Sequence, residues 1–126
     1  MKRLLIAFLL GACLSTPGVA EDAVPPTSRF SQTELLKNWA LTVCLGSVVR
    51  DDADKRDAGV SATAYFQFSH VAVENFAELR KLALQYAGRK YSGSVPGDYN
   101  IMKCIDLFHS KELDGMARRL VRKTVP

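Results

Sequence analysis

The sequence predicts a small all-α domain, a four-helix bundle in outline, with one disulfide tying the first helix to the last. Three observations carry that prediction. Apolar residues recur at spacings of three and four through several stretches, which is the helical period. Helix-starting residues precede these stretches and loop-forming residues separate them. Of the three cysteines, Cys44 and Cys104 fall in the first and last helical stretches, and two cysteines left in a secreted chain can pair in only one way.

The 126 residues bound a single domain. Residues 1–20 read as a secretory signal. Lys2 and Arg3 open it. Leu4 to Leu14 form an apolar run too short to span a bilayer, so no stable membrane insertion is expected. Gly18-Val19-Ala20 then supplies the small residues a signal peptidase reads. A rival reading takes Leu10-Gly11-Ala12-Cys13 as a lipoprotein cleavage site, which would leave Cys13 acylated. The apolar run continues past Cys13, and cutting there would leave an unusually short signal, so a soluble exported form is the expectation.

Removing residues 1–20 from 126 leaves 106, and the net charge falls from +4 to +2 because Lys2 and Arg3 leave and no acid does. That balance makes no case for nucleic-acid binding. Arg118, Arg119, Arg122 and Lys123 cluster at the end of a helical stretch, where they complement the negative end of the helix dipole.

Residues 21–30, with Pro25-Pro26, read as an extended lead, and residues 31–126 as the helical domain. Ser31-Gln32-Thr33-Glu34 matches a capping box. Leu36, Trp39, Ala40, Val43 and Cys44 follow on one face, giving a first helix to about Val49. The run Arg50 to Asp57 holds four aspartates but lacks the glycine and the terminal glutamate of a calcium loop. It reads as a solvated loop with an aspartate capping the next helix, and no metal is expected. Ala58–Ser69 is ambiguous, since Tyr65, Phe66 and Phe68 suit a strand, but the neighbouring helices favour a short helix.

Glu74–Gly88 reads as a helix with Phe76, Leu79, Ala83 and Tyr86 as its stripe. Ser92 to Asp98, with two glycines and a proline, is a loop. Asp98 or Asn100 can cap a long last helix from about Ile101 to Arg122. Met102, Ile105, His109, Leu113, Met116 and Leu120 form its apolar face, with Cys104 beside it. A Cys44–Cys104 bridge would close a loop of about sixty residues, for roughly 4 kcal/mol of chain-entropy stabilisation.

Cys44 and His109 could form a nucleophile and base, but the second cysteine favours a bridge, and His109 on an apolar stripe reads as a hydrogen-bonded core histidine. No phosphate loop, metal-ligand pair or nucleophile elbow is present. The expectation is a binding protein without cofactor, not an enzyme.

Lys103-Cys104-Ile105-Asp106-Leu107 followed by Phe108-His109-Ser110-Lys111-Glu112-Leu113 resembles the C-terminal signature of type VI secretion amidase immunity proteins. Cys44, the aspartate-rich segment after it and Tyr86 to Tyr91-Ser92 support the resemblance. It implies a helical, homodimeric periplasmic protein that binds and blocks a peptidoglycan amidase effector with a catalytic cysteine and histidine. Such a protein protects its producer from sister-cell injection of that amidase. Inhibition in the family comes from a protruding loop that enters the amidase cleft. Ser92-Gly93-Ser94-Val95-Pro96-Gly97-Asp98-Tyr99 matches that loop by position, with Tyr99 as a candidate aromatic anchor. Lys111 and Glu112 are further candidates for the effector or dimer interface. Two other readings compete: a periplasmic acid-stress chaperone, which is also small, helical and single-bridged, and an inhibitor of another cell-wall hydrolase.

Overall fold

A computed structural model describes residues 25–124. The secretory signal, the lipoprotein alternative at Cys13 and the first part of the lead therefore lie outside the described residues. After a 3-10 turn at Pro26–Arg29 come five α-helices: α1 (Gln32–Val48), α2 (Asp52–Phe68), α3 (Phe76–Ala87, entered through a second 3-10 turn at Val73–Asn75), α4 (Asn100–His109) and α5 (Lys111–Thr124). No strand occurs among the described residues, so the ambiguous segment before Ser69 is helical.

The capping box forms as expected. Ser31 Oγ accepts from the Glu34 N–H at 3.2 Å, and Glu34 Oε2 accepts from the Ser31 N–H at 2.8 Å. Both orphan donors at the start of α1 are thus satisfied. The helix it starts is the hub of the fold, because α1 packs against each of the other four. That explains its weak amphipathicity: Leu35, Leu36, Ala40 and Cys44 are buried, while Trp39, Leu41, Val43, Leu45 and Val48 are partly buried around them.

The aspartate-rich run is not a loop. Asp51 accepts from the Ala53 and Asp54 N–H groups at 2.7 and 3.3 Å, which starts α2 at Asp52. Asp52 and Asp54 then lie in the first turn, where the helix dipole favours negative charge. The charge run is thus the solvated first turn of a 17-residue helix. Gly46 lets α1 and α2 approach closely, since a Cβ there would sit 3.2 Å from that of Ala58. Phe76 takes Trp39 and Phe66 edge-on, with ring centroids 4.9 and 5.0 Å away. This cluster joins α1, α2 and α3.

The long last helix is two. Ser110 is extended (φ −71°, ψ 144°), its hydroxyl donates to Leu107 O at 2.7 Å, and it accepts from the Leu113 N–H at 3.1 Å. One residue therefore closes α4 and caps α5. The break resets the helical register. In α4 the buried residues are Lys103, Cys104 and Leu107, and in α5 they are Leu113, Ala117 and Leu120. Met102, Ile105 and His109, expected on the core face, are exposed. His109 is accordingly no core histidine; its ring meets Phe108 edge-on at 5.4 Å.

Cys44 and Cys104 are bonded, with Cα atoms 5.6 Å apart and both residues fully buried. Because of the break at Ser110, the bridge joins α1 to α4 rather than to the last helix. The bridge belongs to the same buried cluster as Leu36, Leu79, Leu107, Leu113 and Leu120. Asp114 and Arg118 form the expected pair one turn apart at 2.9 Å.

Candidate functional site

The segment between α3 and α4 is the longest stretch without helix among the described residues. It is fastened at several points. The Arg89 guanidinium lies 3.4 Å from the centre of the Tyr86 ring, a cation–π contact that holds the chain as it leaves α3. Tyr86 donates its hydroxyl proton to Glu112 of α5. Tyr91 donates to Asp106 of α4 at 2.7 Å, and that bond pushes the Tyr91 phenol above the usual tyrosine range. At the far end Asp98 pairs with Arg50 at 2.8 Å, and Asn100 donates to Val48 O at 3.4 Å.

The loop is also braced from inside. Tyr99 has φ 53°, the only positive φ at a residue other than glycine among the described residues. This left-handed turn costs an L-residue about 1–2 kcal/mol. It is offset by what the ring does there: the hydroxyl donates to Val95 O, across the width of the loop. Gly93 closes around the same ring, and a Cβ on it would lie 3.0 Å from Tyr99 Cζ. Tyr99 is thus half-buried against its own loop, a post and not a free anchor. Val95 is the apolar group held out to solvent, at 68% exposure.

Between the two ends of the loop lies a pocket of about 360 Å³, with Arg89, Lys90 and Tyr91 on one side and Gly97, Asp98, Asn100 and Lys103 on the other. A second hollow of about 310 Å³ lies between α1 and α2, with Trp39, Gly46, Lys55 and Arg80 among its walls and no carboxylate.

Of the residues singled out from the sequence, Ser92 to Asp98 are exposed and Tyr99 is half-buried. Lys111 is exposed at the start of α5, whereas Glu112 beside it receives the Tyr86 hydroxyl. Neither Asp98 nor Asn100 caps α4: Tyr99 holds the cap position with no side-chain hydrogen bond, and Asp98 is turned to Arg50. Sequence reading placed Lys103 in the family signature but gave it no binding role, and it assigned no role at the site to Arg50 or Arg89; Arg50 had a local signal, as a cation opening an acidic run.

Cys44 is committed to the disulfide, so it makes no nucleophile–base pair with His109. Among the described residues, no cluster of histidine, cysteine or carboxylate could hold a metal ion, and no helix is long and apolar enough to cross a membrane. What the arrangement offers is a projecting, preorganised loop with a basic pocket at its root.

The profile of Tai4, described as type VI secretion system (T6SS) amidase immunity protein, matches residues 34–117. A chain in the structure of the effector–immunity system Tae4/Tai4 from Salmonella typhimurium is 44% identical, with a TM-score of 0.73, over 77% of this chain and 96% of that one. A chain in the Tae4–Tai4 effector–immunity complex from Enterobacter cloacae is 29% identical, with a TM-score of 0.67, over 75% of this chain and 97% of that one. A third, from a structure described as new type VI-secreted toxins and self-resistance proteins in Serratia marcescens, is 25% identical with a TM-score of 0.74, covering 83% of this chain and 88% of that one. Comparison with curated proteins gave no match.

Proposed function

The chain belongs to the Tai4 family of type VI secretion amidase immunity proteins, and from that premise we propose that it binds and inhibits a peptidoglycan amidase effector, protecting its producer from self or sister-cell intoxication. The observation that carries this reading is the family match over residues 34–117. A relative solved in complex with a Tae4 effector supports an amidase as the partner. The protein acts in the periplasm as a stoichiometric blocker, performing no reaction and needing no cofactor. No observation favours the acid-stress chaperone, and the family membership favours an amidase over other cell-wall hydrolases.

The loop Ser92–Tyr99 is the element that enters the amidase cleft. Its physical suitability lies in preorganisation. A loop already held by Tyr99, by the Arg50–Asp98 pair and by the chain's anchorage on α3 and α4 loses little conformational freedom on binding. Val95 is then the apolar group presented first. Lys111 and Glu112 flank the interface from the start of α5. The protein forms a homodimer through the apolar strip on α4, where Ile101, Met102 and Ile105 are 55, 49 and 43% exposed.

Survival of a bacterium that expresses the amidase in its periplasm tests the function. Rescue by the full chain, and not by a form lacking residues 1–20, is the expected outcome. Failure to rescue by folded, exported protein would refute it. Exchanging Ser92–Tyr99 for a Gly-Ser linker should abolish inhibition and leave the fold intact; tight binding by that variant would exclude the loop.

A further inference from the structure

Lys103 breaks two local rules at once. It is only 7% exposed, and among the described residues no carboxylate lies within ion-pair distance of its ammonium. Its one hydrogen-bond partner is the neutral Asn100 Oδ1, at 3.0 Å. A buried cation without a counter-charge is costly. It also stands in the first turn of α4, where the positive end of the helix dipole disfavours a cation and would favour an anion. No side chain caps that helix end.

The nearby acids do not answer it. Asp98 is engaged by Arg50, and Asp106 by Tyr91. The other charged walls of the pocket at the loop root are Arg89 and Lys90, both cationic and exposed at the mouth. The pocket therefore presents three cations to one acid already paired. Its volume of about 360 Å³ admits a side-chain carboxylate. Its lining residues flank the loop on both sides in the chain, Ala87 to Tyr91 before it and Gly97 to Lys103 at its end, so the pocket lies next to the segment proposed to enter the cleft.

We propose that the Lys103 pocket is a carboxylate-binding site, which receives an aspartate or glutamate of the amidase when the loop enters its cleft. The inference rests on the functional reading above and adds a specificity contact to it. The loop supplies shape, and the buried ammonium supplies a charge requirement that an amidase lacking an acid at that point would fail. Asn100 orients the ammonium, while Arg89 and Lys90 draw the carboxylate in. Removing one partner of a buried charge pair of this kind costs at least about thirtyfold in affinity, because the other charge is left unpaired.

The test measures amidase binding by calorimetry for the unaltered protein, for Lys103→Met and for the exposed double change Arg89→Gln with Lys90→Gln. Lys103→Met keeps the aliphatic stem and should melt no lower than the parent. Its affinity should fall at least about thirtyfold, with a shallower dependence on salt. Both side chains are exposed; a thermal scan reads separately any loosening from loss of the Arg89 contact with Tyr86, and loss of the two charges should slow association most at low salt. Replacing each acid of the amidase by its amide, one at a time, should reveal one position whose effect vanishes in the Lys103→Met background. Unchanged affinity and salt dependence in Lys103→Met, or additivity at every amidase acid, would overturn the pocket while leaving the immunity function standing. Absence of any binding by the unaltered protein would overturn both.

Discussion

The Tyr99 ring occupies the space that a side chain on residue 93 would need. Gly93 lies so close that an added Cβ would stand 3.0 Å from Tyr99 Cζ. The two residues close the loop on itself, one by filling its centre and the other by having nothing to put there. Gly93→Ala should therefore displace the ring and loosen the Val95 tip. We expect roughly a tenfold loss of amidase affinity, about 1.4 kcal/mol, with the melting temperature unchanged, because the loop lies outside the core. Calorimetric titration beside a thermal scan checks both halves.

The exposed strip of Ile101, Met102 and Ile105 on α4 is the surface assigned to the dimer. Ile105→Glu would place a charge at its centre without touching the core, since that side chain is 43% exposed in the single chain. Light scattering after gel filtration should report a monomer for this variant and a dimer for the parent. A dimeric variant of unchanged stability would move the interface elsewhere.

Replacing both Cys44 and Cys104 by alanine removes a covalent link across a sequence separation of 60. The expected cost is about 4 kcal/mol, a large part of the margin of a small domain. Urea unfolding of the two forms should show the difference as a lower midpoint.

Ser110 serves two helices, so Ser110→Ala should cost more than an ordinary surface change. Loss of the cap on α5 predicts about 1 kcal/mol, read from the same urea curves. Ser110→Asp should retain most of the stability, because a carboxylate can accept from the Leu113 N–H.

Acid should weaken the fold in part through two glutamates. The capping bonds from Ser31 hold the Glu34 carboxyl below its usual 4.5, and the hydrogen bond from Arg119 does the same for Glu78. A carboxyl depressed in the folded state contributes stability above its unfolded pKa, and loses it as pH falls through the folded value. The contribution is thus complete above about pH 5 and fades below 4.5. Denaturation of Glu34→Gln and Glu78→Gln as a function of pH should show a shallower acid slope than the parent, with the curves converging at low pH.

How much of this was legible in advance follows local physics. The start of α1 was readable because its cap is written in four consecutive residues, and the bridge because two cysteines leave no choice. Asp51 was harder: an acid that caps a helix and an acid in a loop look alike until the backbone direction is known. The division at Ser110 was hidden by its context. The run from Met102 to Leu120 keeps helical spacing across the break, so periodicity alone joined two helices and rotated α4 the wrong way. That rotation concealed both the outward strip at Ile105 and the inward Lys103. The loop could be located by its glycines and proline, but not its internal brace, since nothing in the sequence tells that Tyr99 turns back upon Val95.

The burial of the Cys44–Cys104 bond also sets an order of events. With both residues fully buried in the core cluster, an oxidising enzyme can reach the thiols only before the helices close, and a reductant can reach the bond only after they open. The bond therefore forms as the chain folds, and afterwards its exposure is set by the unfolding rate. Protection against an injected toxin has to be standing before the attack comes. A molecule whose cross-link is sealed inside it keeps that readiness for as long as it stays folded, whatever the redox state of the medium around it.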